Sequence, residues 1–309
     1  DLEPKVLSLL KPVYDELSNV STNIKIVVTT YFEHSNEATK ILVNTPIWAL
    51  GLDFIHGVKN LETLEFIKNS NKVLIAGVID GRNIWKSNFE DKLNLLNKIS
   101  NVVSKDNIIV GTSCSLLHVP FTLSYEDNLD KEIKSWLAFA NEKLKELNLV
   151  SKQFFGSKLS LEDIANIEKN RQDNIQRKVS TKIHNQKIQE EIKNLKKFER
   201  EDKFEDRIKA QREFFKYDAL TTTTIGSFPQ TPEIRENRKN YKANLISKEE
   251  YETQIKKYID DCVAFQDEIG LDILVHGEPE RNDMVEYFGQ LLEGFAFTQN
   301  AWVQSYGSR

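Results

Sequence analysis

Two short segments near the carboxyl end of the chain concentrate residues that can do chemistry. The first is residues 224–231 (TIGSFPQT), and the second is residues 274–288 (LVHGEPERNDMVEYF). Each follows an apolar run and precedes a helical pattern, which is typical of the carboxyl end of a strand in a β/α enzyme. The second segment places a histidine, two glutamates, an arginine and an aspartate within eight residues. Folding alone does not require this density of charge, so we expect a site here.

The first segment offers backbone amides and a hydroxyl group to a ligand. Gly226 lets a ligand approach the backbone closely because it has no Cβ atom, and Ser227 adds the hydroxyl group. Taken alone, the segment is explained equally well as an ordinary turn between a strand and a helix. Thr231 is then expected to cap that helix.

The second segment offers a carboxylate. The two predicted helices between the segments place them side by side, so both loops are expected to converge on one face. Glu278 is then suited to bind a substrate ammonium group through charge-assisted hydrogen bonds. The structural alternative is an ion pair between Glu280 and Arg281, with Asp283 as the cap of the next helix.

Two further groups of polar residues, in the first half of the chain, are better explained as structure. Residues 80–83 (DGRN) present a carboxylate and a guanidinium group, but an Asp-Gly turn is favoured. Cys114 and His118 have a spacing that suits metal binding only on a helix, whereas Cys114 falls in a predicted strand. We therefore expect no zinc site at this pair.

The composition is that of a soluble globular protein, with 39% apolar and 29% charged residues over 309 positions. The net charge of −5 gives no support for nucleic-acid binding. No apolar run approaches the roughly 18 residues of a membrane span. Two cysteines far apart in sequence form no disulfide framework, so a reducing cytoplasmic location is expected. The chain does not begin with Met, which suggests that its N-terminus is not the natural one.

Alternating strand and helix patterns in the first half predict a parallel sheet. The predicted strands are residues 24–32, 52–56, 73–80 and part of 107–117. The predicted helices are residues 2–19, 36–49, 61–69, 89–103 and 129–147. Four such units make half of an eight-fold barrel. An open doubly wound sheet is the rival, but its Gly-rich phosphate turn is missing.

The rest of the chain divides into a charged stretch and a second run of alternating patterns. Helices are predicted at residues 188–198 and 204–215, within the charged stretch, and then at 233–241, 247–269 and 284–292. Strands are predicted at residues 220–225, 271–275 and 295–302. Because two or three strands cannot close a barrel, we predict that the chain is cut from a longer polypeptide. The predicted parts are the C-terminal half of one barrel (1–150), a charged helical linker (151–218) and the first strands of a second barrel (219–309).

The chain resembles the cobalamin-independent methionine synthase family at residues 224–231, 275–288 and 302–309. Residues 78–85 (VIDGRNIW) and 113–120 (SCSLLHVP) also resemble its N-terminal barrel, so the resemblance covers essentially the whole chain. It implies an α/β fold of the (β/α)8 TIM-barrel type, with two barrels in the parent protein. This chain then holds the back half of the N-terminal barrel, a helical linker and the start of the C-terminal catalytic barrel.

The resemblance also implies a reaction. The methyl group of 5-methyltetrahydropteroyltriglutamate passes to homocysteine, which forms methionine without cobalamin. By this likeness Ile225, Gly226, Ser227 and Glu278 bind homocysteine or methionine, and Arg309 contacts the folate substrate. Zinc activates the homocysteine thiol as a thiolate, and the family's zinc ligands are expected beyond Arg309. We therefore expect neither catalytic zinc nor turnover from the 309-residue chain alone.

Two other functions stay open at this point. One is a related barrel methyltransferase that uses another methyl donor, and the other is a non-catalytic module that binds an amino acid. Folate contacts and zinc ligands in a longer sequence would separate the first from the methionine synthase. Calorimetry with homocysteine and methionine would test the second. The sequence assigns no catalytic residue.

Overall fold

The computed structural model describes residues 3–20, 23–281, 283–301 and 303. The described residues fall into two compact units. The first lies within residues 1–184 and 296–309, and the second is Asn185–Phe295.

The first unit is built on a four-stranded parallel sheet. Its strands are β1 (Val27–Thr29), β2 (Ala49–Asp53), β3 (Val73–Ile79) and β4 (Ile108–Thr112), which pair in chain order. All of β2 is buried, as expected for a parallel strand covered on both faces. The prediction of an α/β fold with a parallel sheet is therefore confirmed.

Seven helices surround this sheet in the described part of the first unit. They are α1 (Pro4–Asn19), α2 (Asn36–Leu42), α3 (Leu64–Lys68), α4 (Phe89–Ser100), α5 (Lys131–Ser135), α6 (Ala140–Phe154) and α7 (Leu161–Val179). Short 3-10 turns occur at Val58–Thr63, Lys105–Asn107, Leu116–His118 and Leu123–Tyr125. Leu42, Leu96 and Val150, from three of the helices, form one buried core with Leu50 and Leu74 of the sheet.

Several predicted boundaries in this unit are wrong, and the strand expected at 24–32, for example, is formed only over β1. Three of the wrong boundaries have a clear physical reason. The strand expected at residues 52–56 is β2, which ends at Asp53 because the Asp53 carboxylate accepts hydrogen bonds from the next backbone N–H groups and turns the chain. Its Oδ1 accepts from Ile55 at 2.7 Å and from His56 at 2.9 Å. The helix expected at 36–49 ends early, because the N–H of Thr45 turns back to the Leu42 carbonyl.

The third wrong boundary concerns the helix expected at residues 129–147. It is interrupted between α5 and α6, where Leu137 forms an antiparallel bridge with Trp85. The N–H of Ala138 donates to the Ile84 carbonyl at 2.8 Å, which a continuous helix would forbid.

Helix α7 lies in the stretch that the sequence predicted as a charged helical linker. It packs against the rest of the first unit through buried polar contacts. Asp173 accepts from Lys86 at 2.6 Å, and the Asn170 side chain donates to the Ser87 carbonyl at 2.8 Å. Both Asp173 and Asn170 are buried. Polar side chains of this helix therefore make buried contacts as well as facing solvent.

The described residues of the second unit form five helices and no regular strand. The helices are α8 (Gln186–Asn194), α9 (Phe204–Phe215), α10 (Pro232–Lys242), α11 (Lys248–Glu268) and α12 (Met284–Leu291). The strands predicted at 220–225 and 271–275 are wrong, because these segments meet only through isolated contacts. One is a hydrogen bond from the Ile273 N–H to the Thr222 carbonyl, and a parallel bridge between Ser227 and Gly277 lies just beyond both segments. The strand expected at 295–302 is likewise not formed over residues 295–301.

The helix caps predicted at Thr231 and Asp283 are confirmed, and Ser247 caps α11 in the same way. Thr231, Ser247 and Asp283 each accept a hydrogen bond from a backbone N–H in the first turn of α10, α11 and α12. In the described part of the chain, none of the helices combines the length and the apolar character that a membrane span needs.

Candidate functional site

The two polar segments of the second unit lie side by side. Ser227 and Gly277 form the parallel bridge, and the N–H of Phe228 donates to the Gly277 carbonyl at 2.9 Å. The structure thus brings Gly226 and Ser227 next to Glu278. Ile225, which precedes them, is 94% exposed.

Gly226 and Glu278 approach each other closely. Gly226 has a φ of +107°, and a Cβ atom built there would lie 3.0 Å from Glu278 Oε1. Glu278 has a φ of +59°, a conformation that residues with a side chain rarely adopt. Such backbone strain clusters at functional sites, where the surrounding structure enforces it. The conformation of Glu278 therefore makes this loop pair a candidate site, whereas Gly226 adopts its φ without strain.

The charge of Glu278 is set by Arg281. The Arg281 guanidinium donates to the Glu278 carboxylate, and this hydrogen bond holds the pKa of Glu278 below its ordinary value. The structural alternative paired Arg281 with Glu280, but Glu280 Oε1 lies 3.0 Å from Nε2 of His276. Glu278 is therefore an ionised carboxylate near neutral pH, and Arg281 is its cationic partner.

Two residues that the sequence did not single out hold the loop beyond Glu278. Gln230 donates to the Glu278 carbonyl at 3.2 Å. Arg238 of α10 donates to Gln230 Oε1 at 2.6 Å and to the Pro279 carbonyl at 2.8 Å. The only sequence feature that points to a role for Gln230 is its place in the first polar segment, after Ser227. No sequence feature points to a role for Arg238.

A cavity of about 340 Å³ adjoins this loop within the second unit. Its walls include Arg238, Tyr251, Glu280, Arg281 and Tyr287. Nε of Arg238, Oε2 of Glu280 and Nε of Arg281 are buried and make no hydrogen bond with the described residues. Buried polar atoms are normally satisfied, so a polar ligand or water suits this cavity better than an apolar one.

Residues 80–83 of the first unit form a turn, as the sequence predicted. Asp80 Oδ1 accepts the N–H of Arg82 at 2.8 Å and of Asn83 at 3.2 Å. Cys114 is buried, and burial raises the pKa of its thiol, while His118 lies in a 3-10 turn. No group of three or more His, Cys, Asp or Glu side chains among the described residues could hold a metal ion.

Arg309, which the resemblance assigns to the folate substrate, lies outside the described residues. The same holds for most of the motif at residues 302–309. The structure therefore describes the residues predicted to contact the amino acid but not the residue predicted to contact the folate, and both roles stay predictions.

Two family models match the chain. The N-terminal domain of the cobalamin-independent synthase matches residues 1–104, and the catalytic domain of the same synthase matches residues 220–309. The first match includes β1, β2 and β3, and the second includes both segments of the candidate site.

Curated relatives are similar over the whole chain. It is 52% identical over 309 residues to a 5-methyltetrahydropteroyltriglutamate–homocysteine methyltransferase of Desulforamulus reducens. It is 44% identical over 313 residues to the protein of that name in Kali turgidum, and 40% identical over 311 residues to a probable one in Schizosaccharomyces pombe. Each alignment covers 100% of the chain and 40–41% of the relative, so the chain spans about two fifths of these proteins.

Proposed function

Because the chain belongs to the cobalamin-independent synthase family, we propose that its protein is the methyltransferase for which the relatives are named. It transfers the methyl group of 5-methyltetrahydropteroyltriglutamate to homocysteine and so forms methionine without cobalamin. The observation that carries this proposal is the ionised Glu278 carboxylate against Gly226, on two loops joined by the Ser227–Gly277 bridge.

The site suits the zwitterionic part of an amino acid. Glu278 accepts hydrogen bonds from the substrate ammonium group, and the hydrogen bond from Arg281 keeps the carboxylate charged while it does so. The backbone at Ile225 and Gly226 and the hydroxyl group of Ser227 bind the substrate carboxylate. Gly226 leaves room for this approach because it has no side chain.

The fold we propose for the parent protein is two (β/α)8 barrels. Four parallel strands in chain order, with helices between them, support the first barrel. The match of residues 220–309 to the catalytic domain supports the second. In this proposal residues 1–150 are the C-terminal half of the first barrel, 151–218 the linker and 219–309 the start of the second. The cytoplasmic location stays a prediction.

The zinc ion that the resemblance implies does not fit the described residues. They contain no cluster of three or more potential metal ligands, and burial raises the pKa of both cysteine thiols, Cys114 and Cys262. Zinc binds the thiolate form, which a raised pKa disfavours. We propose that zinc is held by other parts of the parent protein, and we derive no step through it.

The proposal is tested by the variant Glu278→Gln in the full-length protein. Losing a charge-assisted hydrogen bond to the substrate should raise the KM for homocysteine about ten- to a hundredfold and leave the KM for the folate nearly unchanged. Steady-state kinetics with both substrates measures this. Glu268→Gln, at an exposed glutamate on α11, is the matched control.

Three results would contradict parts of the proposal. Activity with another methyl donor, and none with the methylfolate, would identify a related barrel methyltransferase. Binding of homocysteine and methionine without any turnover would identify a binding module. An unchanged homocysteine KM in Glu278→Gln would remove Glu278 from the site.

A further inference from the structure

Helix α11 carries a glutamine whose side chain is fully buried. Gln266 has an exposed fraction of 0%, although glutamine is mostly found at protein surfaces. Burying an amide group is unfavourable unless its polar atoms find hydrogen-bond partners. The partners of Gln266 therefore show what this buried amide holds in place.

Gln266 binds both backbone groups of one residue, Val275. Its Nε2 donates to the Val275 carbonyl at 2.6 Å, and its Oε1 accepts the Val275 N–H at 2.9 Å. The same Nε2 also donates to the Cys262 carbonyl one helical turn earlier, at 2.9 Å. The side chain thus pairs with Val275 as a neighbouring strand does in a sheet, at a place where the described residues form no sheet.

A second contact fixes the loop to the same helix. Gly277 has a φ of +82°, and a Cβ atom built there would lie 2.7 Å from the Cys262 sulfur. The loop therefore lies directly on α11 at Gly277 and is hydrogen-bonded to α11 at Val275. Glu278 follows at the next position, and its carboxylate faces Gly226.

We propose that Gln266 is a positioning residue for the amino-acid substrate, which rests on the proposed function of Glu278. By holding Val275, the Gln266 amide fixes the distance between the Glu278 carboxylate and Gly226. A binding group must stay within about 0.5 Å of its productive position to keep its effect. Releasing Val275 allows a displacement of that size three residues later, without removing any group that contacts the substrate.

The first test compares Gln266→Leu with Gln254→Leu in the full-length protein. Gln254 is exposed on the same helix, so the control makes the same chemical change away from the loop. We expect Gln266→Leu to raise the KM for homocysteine and the Kd for methionine at least tenfold, with the folate KM within twofold of wild type. A merely structural role would lower the thermal midpoint without singling out one substrate. Kinetics, calorimetry and thermal denaturation give the three measurements.

The second test uses Gln266→Glu, which has the same shape and a titratable group. A protonated carboxylic acid can donate to the Val275 carbonyl and accept its N–H, whereas a carboxylate can only accept. Burial raises the pKa of such a carboxyl group, so the protonated form gains population as the pH falls toward 5. The methionine Kd of the variant, divided by that of wild type at each pH, should therefore approach one as the pH falls.

The outcomes separate this inference from the proposed function. A wild-type protein that binds methionine but transfers no methyl group contradicts the proposed function, and the Kd values still decide the role of Gln266. Equal methionine affinity in Gln266→Leu, Gln254→Leu and wild type would overturn the inference. So would a Kd ratio for Gln266→Glu that stays well above one at every pH down to 5.

Discussion

At the scale of single residues, the candidate site depends on backbone conformations that the sequence did not reveal. The sequence indicated Gly226 and Glu278 by their types and by the polar density around them. It did not indicate that both have positive φ, or that the carboxylate lies where a Gly226 side chain would be. Glycine explains the first conformation by itself. The loop around Glu278 is instead held by hydrogen bonds from Gln230, Arg238 and Gln266, which neither composition nor local pattern reveals.

The variant Gly226→Ala tests the close approach of Gly226 and Glu278. An alanine there would be strained by its φ of +107° and would place its Cβ 3.0 Å from Glu278 Oε1. Gly270 has a φ of +76° with nothing within 4 Å, so Gly270→Ala is a control with backbone strain and no clash. Each variant should lose about 1 kcal/mol of unfolding free energy or more. Only Gly226→Ala should weaken methionine binding, and equal affinities by calorimetry would show that the approach is not used.

At the scale of elements, the sequence predicted the first unit well and the second unit only in part. Strand β3 was predicted almost to the residue because VLIAGVI is a continuous apolar run, which a buried parallel strand requires. Residues 220–225 and 271–275 have similar β-branched composition, but a strand also needs partners on its edges. Among the described residues of the second unit no regular strand lies beside these segments, and composition cannot reveal that.

Helix α7 carries the next prediction, because its attachment to the first unit is polar. Asp173 is buried and accepts hydrogen bonds from Lys86 and Lys169. Asp173→Asn removes one charge of this partly buried group and should cost about 1–3 kcal/mol of unfolding free energy. Glu168→Gln on the exposed side of the same helix should cost at most about 0.5 kcal/mol.

Hydrogen exchange of the α7 amides and thermal denaturation measure these costs together. The amides of α7 should exchange faster in Asp173→Asn than in Glu168→Gln, because the contact with Lys86 is weakened. If the two variants matched in both measurements, the Asp173–Lys86 contact would not help to hold α7 against the rest of the first unit.

At the scale of the whole molecule, the chain carries parts of two family domains. Of the candidate site, the structure describes the residues assigned to the amino acid and not the residue assigned to the folate. Residues 1–104 match the N-terminal domain and residues 220–309 match the catalytic domain. The residues assigned to the amino acid lie in the second unit, whereas the residue assigned to the folate, Arg309, lies outside the described residues. Both contacts are predictions that come from the resemblance of sequence motifs. The geometry supports the proposed amino-acid site, because contacts with Gly226 and Arg281 hold the Glu278 carboxylate in position.

The last prediction concerns metal and turnover, which belong to the whole protein. The 309-residue chain by itself should bind no stoichiometric zinc and should transfer no methyl group to homocysteine. The described residues offer no set of three metal ligands, and burial raises the pKa of the Cys114 and Cys262 thiols away from the zinc-binding thiolate. Elemental analysis after dialysis and a methyl-transfer assay, each run beside the full-length protein, measure both properties. Stoichiometric zinc together with methionine formation by the chain alone would place the missing ligands within these 309 residues.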